Sequence, residues 1–286
     1  MPGSVVFSDP ATGGYHTEGH PEAPFRVLKT AERLRAAGLA PRLPPPAREE
    51  DALRVHSGEH LRRLAEGDYH DPDTPHYPWI AKLARVSLAG ALAAADNALD
   101  GTPAFSLMRP PGHHAGRERI AGFCYLNNLA AACARALDLR ELKRIAILDV
   151  DVHHGDGTES IVLGDERYRF CSLHESPQYP GTGLVSRDNC RNVPLPAGTG
   201  EDEYLRRLEP ALQDLLDFKP DLLAVSAGFD TFERCPIAGL RLKRGSYRKI
   251  GALLAGTKLK RFAVLEGGYA AEVPELVEEF LSGFFS

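Results

Sequence analysis

Residues 147–157 read Ile-Leu-Asp-Val-Asp-Val-His-His-Gly-Asp-Gly, so an apolar run ends in three carboxylates and two imidazoles. On an extended strand, alternation places Asp149, Asp151 and His153 on one face. Such groups crowded on one side repel or stay unsatisfied unless a cation joins them. The alternative is a polar turn of hydrogen-bonded carboxylates. Other apolar runs end in the same way. Ala104–Met108 leads to Arg109-Pro-Pro-Gly-His113-His114, residues 224–229 end at Asp230, and Phe262–Leu265 leads to Glu266-Gly-Gly-Tyr269. One sheet edge could therefore gather His113, His114, Asp151, His153, Asp230 and Tyr269 into one pocket.

The chemistry of that set is specific. Two carboxylates and an imidazole (Asp151, His153, Asp230) suit a divalent ion, with zinc the first choice and Fe2+ or Co2+ possible in its place. Three protein ligands leave a position open for water or substrate, which the ion would activate. The tandem His113-His114 supplies a base and an acid. Asp149 and Asp156 are placed to fix their tautomers. Tyr269, on a glycine-rich tip, can donate to a developing oxyanion. Together these parts make an amide hydrolase.

Elements must hold these tips in place. Strands are expected at Val5–Ser8, Ala104–Met108, Ile145–Val150, Arg169–Leu173, Leu222–Ser226 and Phe262–Leu265. Helices are expected at Phe25–Ala37, Glu49–Val55, Gly58–Glu66, Ile80–Leu99, Leu126–Leu137, Asp202–Leu216, Ser246–Leu254 and Pro274–Phe284, with a short one from Thr158. Strands alternating with helices imply an α/β fold, a parallel sheet covered on both faces. Residues 174–196 read as loop. The 286 residues show no repeat or internal boundary, so one catalytic domain over 1–286 is expected.

Bulk properties narrow the function. A net charge of −5 gives no sign of a nucleic-acid partner. The five cysteines lack paired spacing, which favours reduced thiols and a cytoplasmic location. Met1-Pro2-Gly3-Ser4 carries no leader pattern, and no run reaches the roughly 20 apolar residues of a membrane span.

The motifs RPPGHHA (109–115), GFCYLNN (122–128), LDVDVHHGDGT (148–158), SLH (172–174), PGTG (180–183), AGFDT (227–231) and LEGGY (265–269) resemble, in order and spacing, the zinc-dependent histone deacetylase family. That family includes the bacterial acetylpolyamine amidohydrolases. The resemblance runs from GHPEAPFRV (19–27) to LEGGY. It implies an arginase/deacetylase-like three-layer fold with a central parallel sheet of about eight strands. It assigns zinc to Asp151, His153 and Asp230, pairs His113 with Asp149 and His114 with Asp156, and makes His114 the acting base and acid. It gives Gly122, Phe123 and Tyr179 to the substrate tunnel, Asp73 to its rim, Ile237 and Gly268 to substrate contact, and Arg26 to the pocket's base. It also implies structural potassium at Asp149, Asp151, His153, Ser172 and Leu173, and a second cation near Val162, Asp165, Tyr168 and Asn189.

The remaining histidines, His16, His20, His56, His60, His70, His76 and His174, are expected to be surface or structural. His154 is expected to make a structural hydrogen bond, and Cys124 to be a small packing residue. The expected substrate is the ε-N-acyl-lysine of proteins or peptides, with an acetylpolyamine or other small acylamine as the alternative; a non-catalytic acyl-lysine reader is the alternative of another class. DTFERCPI (230–237) and EAPFR (22–26) resemble the polyamine enzymes. The short path from Tyr69 to Ile80 lacks their dimer-building insertion, so monomer and homodimer both stay open. Ile237 stands where polyamine-selective relatives carry a glutamate. A compensating rim acid could be Glu18, Glu22, Asp71, Asp73, Glu175 or Glu233.

Overall fold

A computed structural model describes residues 4–286; Met1, Pro2 and Gly3, part of the segment read for a leader, lie outside the described residues. Seven strands form one sheet: β1 (Val5–Phe7), β2 (Ala104–Ser106), β3 (Ile145–Asp149), β4 (Tyr168–Glu175), β5 (Cys190–Leu195), β6 (Leu222–Ala227) and β7 (Arg261–Leu265). Their order is β1-β2-β7-β6-β3-β4-β5, and every pairing is parallel. Nine α-helices accompany them among the described residues. These are α1 (Phe25–Ala36), α2 (Glu49–Leu53), α3 (Gly58–Glu66), α4 (Ile80–Leu99) and α5 (Asn128–Leu139), then α6 (Asp156–Val162), α7 (Glu201–Asp217), α8 (Arg244–Gly256) and α9 (Val273–Phe284).

The expected α/β architecture is present, with seven strands where about eight were implied. The strand absent from the pattern reading is β5. Its sequence, Cys-Arg-Asn-Val-Pro-Leu, has neither an apolar run nor clean alternation. It lies at the sheet's edge, where Pro194 removes no obligatory ladder bond.

The strands' alternation feeds two cores. Ile145, Ile147 and Phe262 face one side with Leu83, Leu88 and Leu129 from α4 and α5. Ala146, Leu148 and Phe105 face the other with Val27, Leu208, Ile250 and Leu276 from α1, α7, α8 and α9. Such a sheet, buried on both faces, explains why its central strands read as continuous apolar runs. Local signals agree: Ser57 caps α3 by accepting from His60 N at 3.1 Å, and Asn127 caps α5 by accepting from Ala130 N at 3.0 Å. Among the described residues no helix is long and apolar enough to cross a membrane.

Helices α8 and α9 touch through glycines. A Cβ on Gly283 would overlap the Arg248 carbonyl oxygen, and one on Gly251 the Phe280 carbonyl oxygen. Gly283→Ala must push the helices apart. Overpacking of this kind costs about 1–3 kcal/mol, read as a lower denaturation midpoint. An unchanged midpoint would show that the helices slide freely.

Candidate active site

All seven strands run the same way, so the segments leaving their carboxyl ends meet at one edge. A cleft of about 360 Å³ opens there, lined by His20, Pro21, Asp73, His114, Gly122, Phe123, His153, Gln178, Tyr179, Ile237 and Tyr269. Its walls are aromatic. The His114 ring meets Tyr179 edge-on at 5.0 Å, and Phe123 meets Tyr269 edge-on at 5.7 Å. Gly122 has φ +58°, and a Cβ there would press on the His114 ring, so only glycine lets the wall approach it.

Beneath the cleft lie Asp151, His153 and Asp230, whose ligand atoms fall within 4.8 Å of one another. His153 Nδ1 is 3.0 Å from Asp151 Oδ1 and 3.3 Å from Asp230 Oδ2. Main-chain amides fix the carboxylates. Asp151 accepts from His153 N at 2.9 Å and Gly267 N at 2.7 Å, and Asp230 Oδ1 accepts from Val152 N at 2.9 Å. The remaining oxygen, Asp230 Oδ2, is buried with no hydrogen-bond partner. Burial and neighbouring Asp151 push the Asp230 carboxyl up to about 6. An orphaned oxygen beside a second carboxylate and an imidazole fits a divalent cation. A Cβ at Gly267 would overlap Asp230 Oδ2, so the glycine keeps that cradle clear.

The tandem histidines occupy different electrostatic settings. His113 Nδ1 donates to Asp149 Oδ2 at 3.0 Å. Burial opposes its charge, but Asp151 and Asp149 outweigh burial and hold it well above the usual imidazole range. His114 Nδ1 donates to Asp156 Oδ1 at 2.7 Å. Burial, then the positive charge of His113, lowers its value to about 3 despite Asp156. The pair thus divides into a charged member and a neutral one. Burial raises the Tyr269 hydroxyl well above its ordinary value, so it stays protonated and able to donate.

The structure brings His113, His114, Asp149, Asp156, Asp151, His153, Asp230 and Tyr269 together. Asp149 pairs across the ladder with Ser172, next to Leu173. At the second cation position, Asn189 Nδ2 donates toward the carbonyls of Val162 (2.9 Å), Asp165 (3.1 Å) and Tyr168 (3.1 Å). Gly268 sits behind the wall, where its carbonyl accepts from Arg26 Nε at 2.7 Å. Arg26 lies 5.0 Å from the Tyr269 ring centre. Asp73 is exposed at the mouth.

The other acids weighed for the rim have other partners or places. Glu22 is buried against Arg26 and Arg109, Glu175 accepts from Gly239 N at 2.7 Å, and Glu233 pairs with Lys243. Asp71 accepts from Thr74 Oγ1 at 3.0 Å and from Gly122 N in the cleft wall at 3.4 Å, so it stands beside the rim, and Glu18 is exposed away from the cleft lining.

His20, expected to be a surface or structural histidine, lines the cleft. Its Nδ1 accepts from Glu22 N at 3.1 Å, its Nε2 donates to Asp73 O at 3.2 Å, and its ring meets Phe123 at 4.7 Å. His56, His60 and His174 are buried within hydrogen bonds, as expected. His154 bridges Thr182 and Glu159, each at 2.8 Å, as expected for a structural residue. Cys124 is fully buried.

Sequence reasoning passed over Glu266. It accepts from Gly112 N at 2.7 Å, His113 N at 3.2 Å and Ser226 Oγ at 3.1 Å, anchoring the His-His loop. Burial pushes its carboxyl up to about 7. Its signal was the same as that of Asp149: a carboxylate closing a buried strand.

Known proteins share this framework. The family described as histone deacetylase domain matches residues 20–284. A probable deacetylase of Methanothermobacter thermautotrophicus is 37% identical over 285 residues, spanning 94% of this chain and 86% of that protein. The HD domain of HDA15 superposes with TM-score 0.91 at 27% identity, covering 99% of this chain and 88% of that one. Acetylpolyamine aminohydrolase from Burkholderia pseudomallei superposes with TM-score 0.88 at 28% identity, over 98% of both chains. A match that takes in every strand-end segment of the cleft leaves one conclusion: this chain belongs to the histone deacetylase family and is a deacetylase-type hydrolase.

Proposed function

We propose that the protein removes acetyl or other short acyl groups from ε-N-acyl-lysine of proteins or peptides, with zinc as its cofactor. The observation that carries this reading is the juxtaposition, below an aromatic-walled cleft, of a metal-fitting triad and a neutral histidine. Asp151, His153 and Asp230 would hold the zinc. Bound there, the ion supplies a Lewis acid for the amide carbonyl and lowers the pKa of an attacking water. His114 takes a proton from that water and delivers it to the leaving nitrogen. Asp156 holds its tautomer, and charged His113, backed by Asp149, offsets developing negative charge. Tyr269 donates to the carbonyl oxygen as the C–N bond breaks, yielding free amine and carboxylate. Phe123 and Tyr179 flank the aliphatic stem. Asp149, Asp151, His153, Ser172 and Leu173 would hold potassium.

A second reading, acetylpolyamine hydrolysis, draws on the similarity to the Burkholderia enzyme over its whole length. Against it, Ile237 gives the cleft an apolar wall where a second ammonium would need a charge; in its favour, Asp73 is an acid lining the mouth. The buried catalytic set disfavours a mere reader, since such charge is costly unless used. The five cysteines, unpaired and buried, support a cytoplasmic location.

The test is a panel of acetyl-lysine peptides, longer acyl-lysines, acetylputrescine and acetylspermidine, compared by kcat/KM on zinc-loaded protein. We expect the peptides to lead, turnover to vanish on chelation, and zinc to restore it. A polyamine preference would move the assignment to the second reading. No turnover anywhere would return the reader hypothesis.

A further inference from the structure

We propose that Arg119 is a positioning residue for the reaction, locking the His114–Asp156 pair from outside the cleft. The inference rests on His114 being the acting base. Asp156 offers one oxygen to each side: Oδ1 accepts from His114 Nδ1 at 2.7 Å, and Oδ2 makes a close ion pair with Arg119. The same guanidinium nitrogen that holds Asp156 also donates to the His114 carbonyl at 3.3 Å. One side chain therefore ties together the main chain of His114 and the partner of its ring. A carboxylate held at both oxygens cannot rotate, so the ring it supports keeps its orientation.

The neighbouring pair is built differently. Asp149 gives Oδ2 to His113 and Oδ1 to the Asp151 amide, with no arginine among its hydrogen-bond partners. Backbone already fixes that dyad. Asp156 sits at the start of a short helix and lacks such an amide on its side chain, so the second anchor comes from Arg119. The arginine is itself held in a tight turn, where Gly116 N donates to Arg119 O at 3.0 Å.

Arg119 is half exposed, whereas Asp156 is nearly buried. Both line an outer cavity of about 740 Å³, together with Arg117, Thr182 and Leu184. This cavity is separate from the substrate cleft, so Arg119 need not touch substrate. An exposed arginine can be removed without opening the core, and a small cation can reach its place.

The test compares wild type with R119A, R119K, D156N, R119A/D156N and H114A, using the best substrate of the panel. We expect R119A to lower kcat by about tenfold while KM moves by less than about twofold. R119K should recover part of the loss, and added guanidinium should restore part of R119A activity. In the D156N background the Arg119 substitution should cost less than about twofold, because its route of action is already cut. A full loss in that background, a change in KM alone, or unchanged kcat in R119A would overturn the proposal. H114A separates the two readings: if it stays active, the base assignment fails. If H114A is dead and R119A is normal, only the role of Arg119 fails.

Discussion

His114→Ala should lower kcat/KM by about 10²–10⁴-fold, and Tyr269→Phe by about 10²–10³-fold, with neither variant losing its fold. The reasons differ. His114 is the neutral imidazole of the pair, because burial and the charge of His113 hold its value near 3. A neutral ring with Nδ1 committed to Asp156 has Nε2 free as an acceptor. Asp151 and Asp149 raise the His113 value despite burial and so favour its charged form, which leaves the base role to His114. Tyr269 acts through one hydroxyl donor. Phe keeps the ring packed against Phe123 and Arg26 and deletes only that donor. The Tyr269 effect should fall on kcat, since a hydrogen bond that strengthens as charge develops favours the transition state over bound substrate. The double variant should be barely worse than His114→Ala alone, because residues acting as a unit are not additive. Circular dichroism and thermal melts verify the folds. Near-normal kcat/KM in His114→Ala would move the proton transfer to another group.

Much of this site was legible in the sequence because its logic is local. The strands' parallel direction suffices to send four strand tips to one edge, and Asp151 and His153 follow Asp149 in the bend just past β3. The two carboxylates and one imidazole then read as ligands by type alone. What stayed hidden depends on long-range placement. His20 lies on a loop before α1 and reaches the cleft only by docking against Asp73 and Phe123. Arg119 lies in Arg117-Glu118-Arg119, a charged run with no pattern of its own, and its partner is 37 positions away. Strand β5 was missed because edge strands need little apolar patterning. The second cation position was implied by backbone carbonyls. Side-chain identity says little about those, three of which accept from Asn189 Nδ2.

Glu22→Gln should destabilise the protein by about 3–5 kcal/mol, because it leaves two buried guanidiniums without their shared anion. Glu22 is 2% exposed. It accepts from Arg26 at 2.7 Å and from Arg109 Nε and one terminal nitrogen at 2.5 Å each. Both arginines are fully buried, and their remaining donors hold main-chain carbonyls: Thr12 and Tyr15 for Arg109, Gly268 and Glu266 for Arg26. The cluster thus fastens the chain on either side of Gly267 and so positions Tyr269. Burial alone would raise the Glu22 carboxyl, but Arg109 and Arg26 outweigh it and lower the value from 4.5 to about 2. The sign follows: the group contributes stability above its unfolded value, and that contribution fades as pH falls from about 4.5 toward 2. A drop of that size is worth about 3 kcal/mol. Wild type should therefore lose denaturant resistance steeply below pH 4.5, and Glu22→Gln should lose less over the same interval while starting lower. Equal acid sensitivity in the two proteins, or a variant within about 1 kcal/mol of wild type at pH 7, would mean that the arginines find another anion. The geometry offers them only neutral carbonyls and aromatic faces.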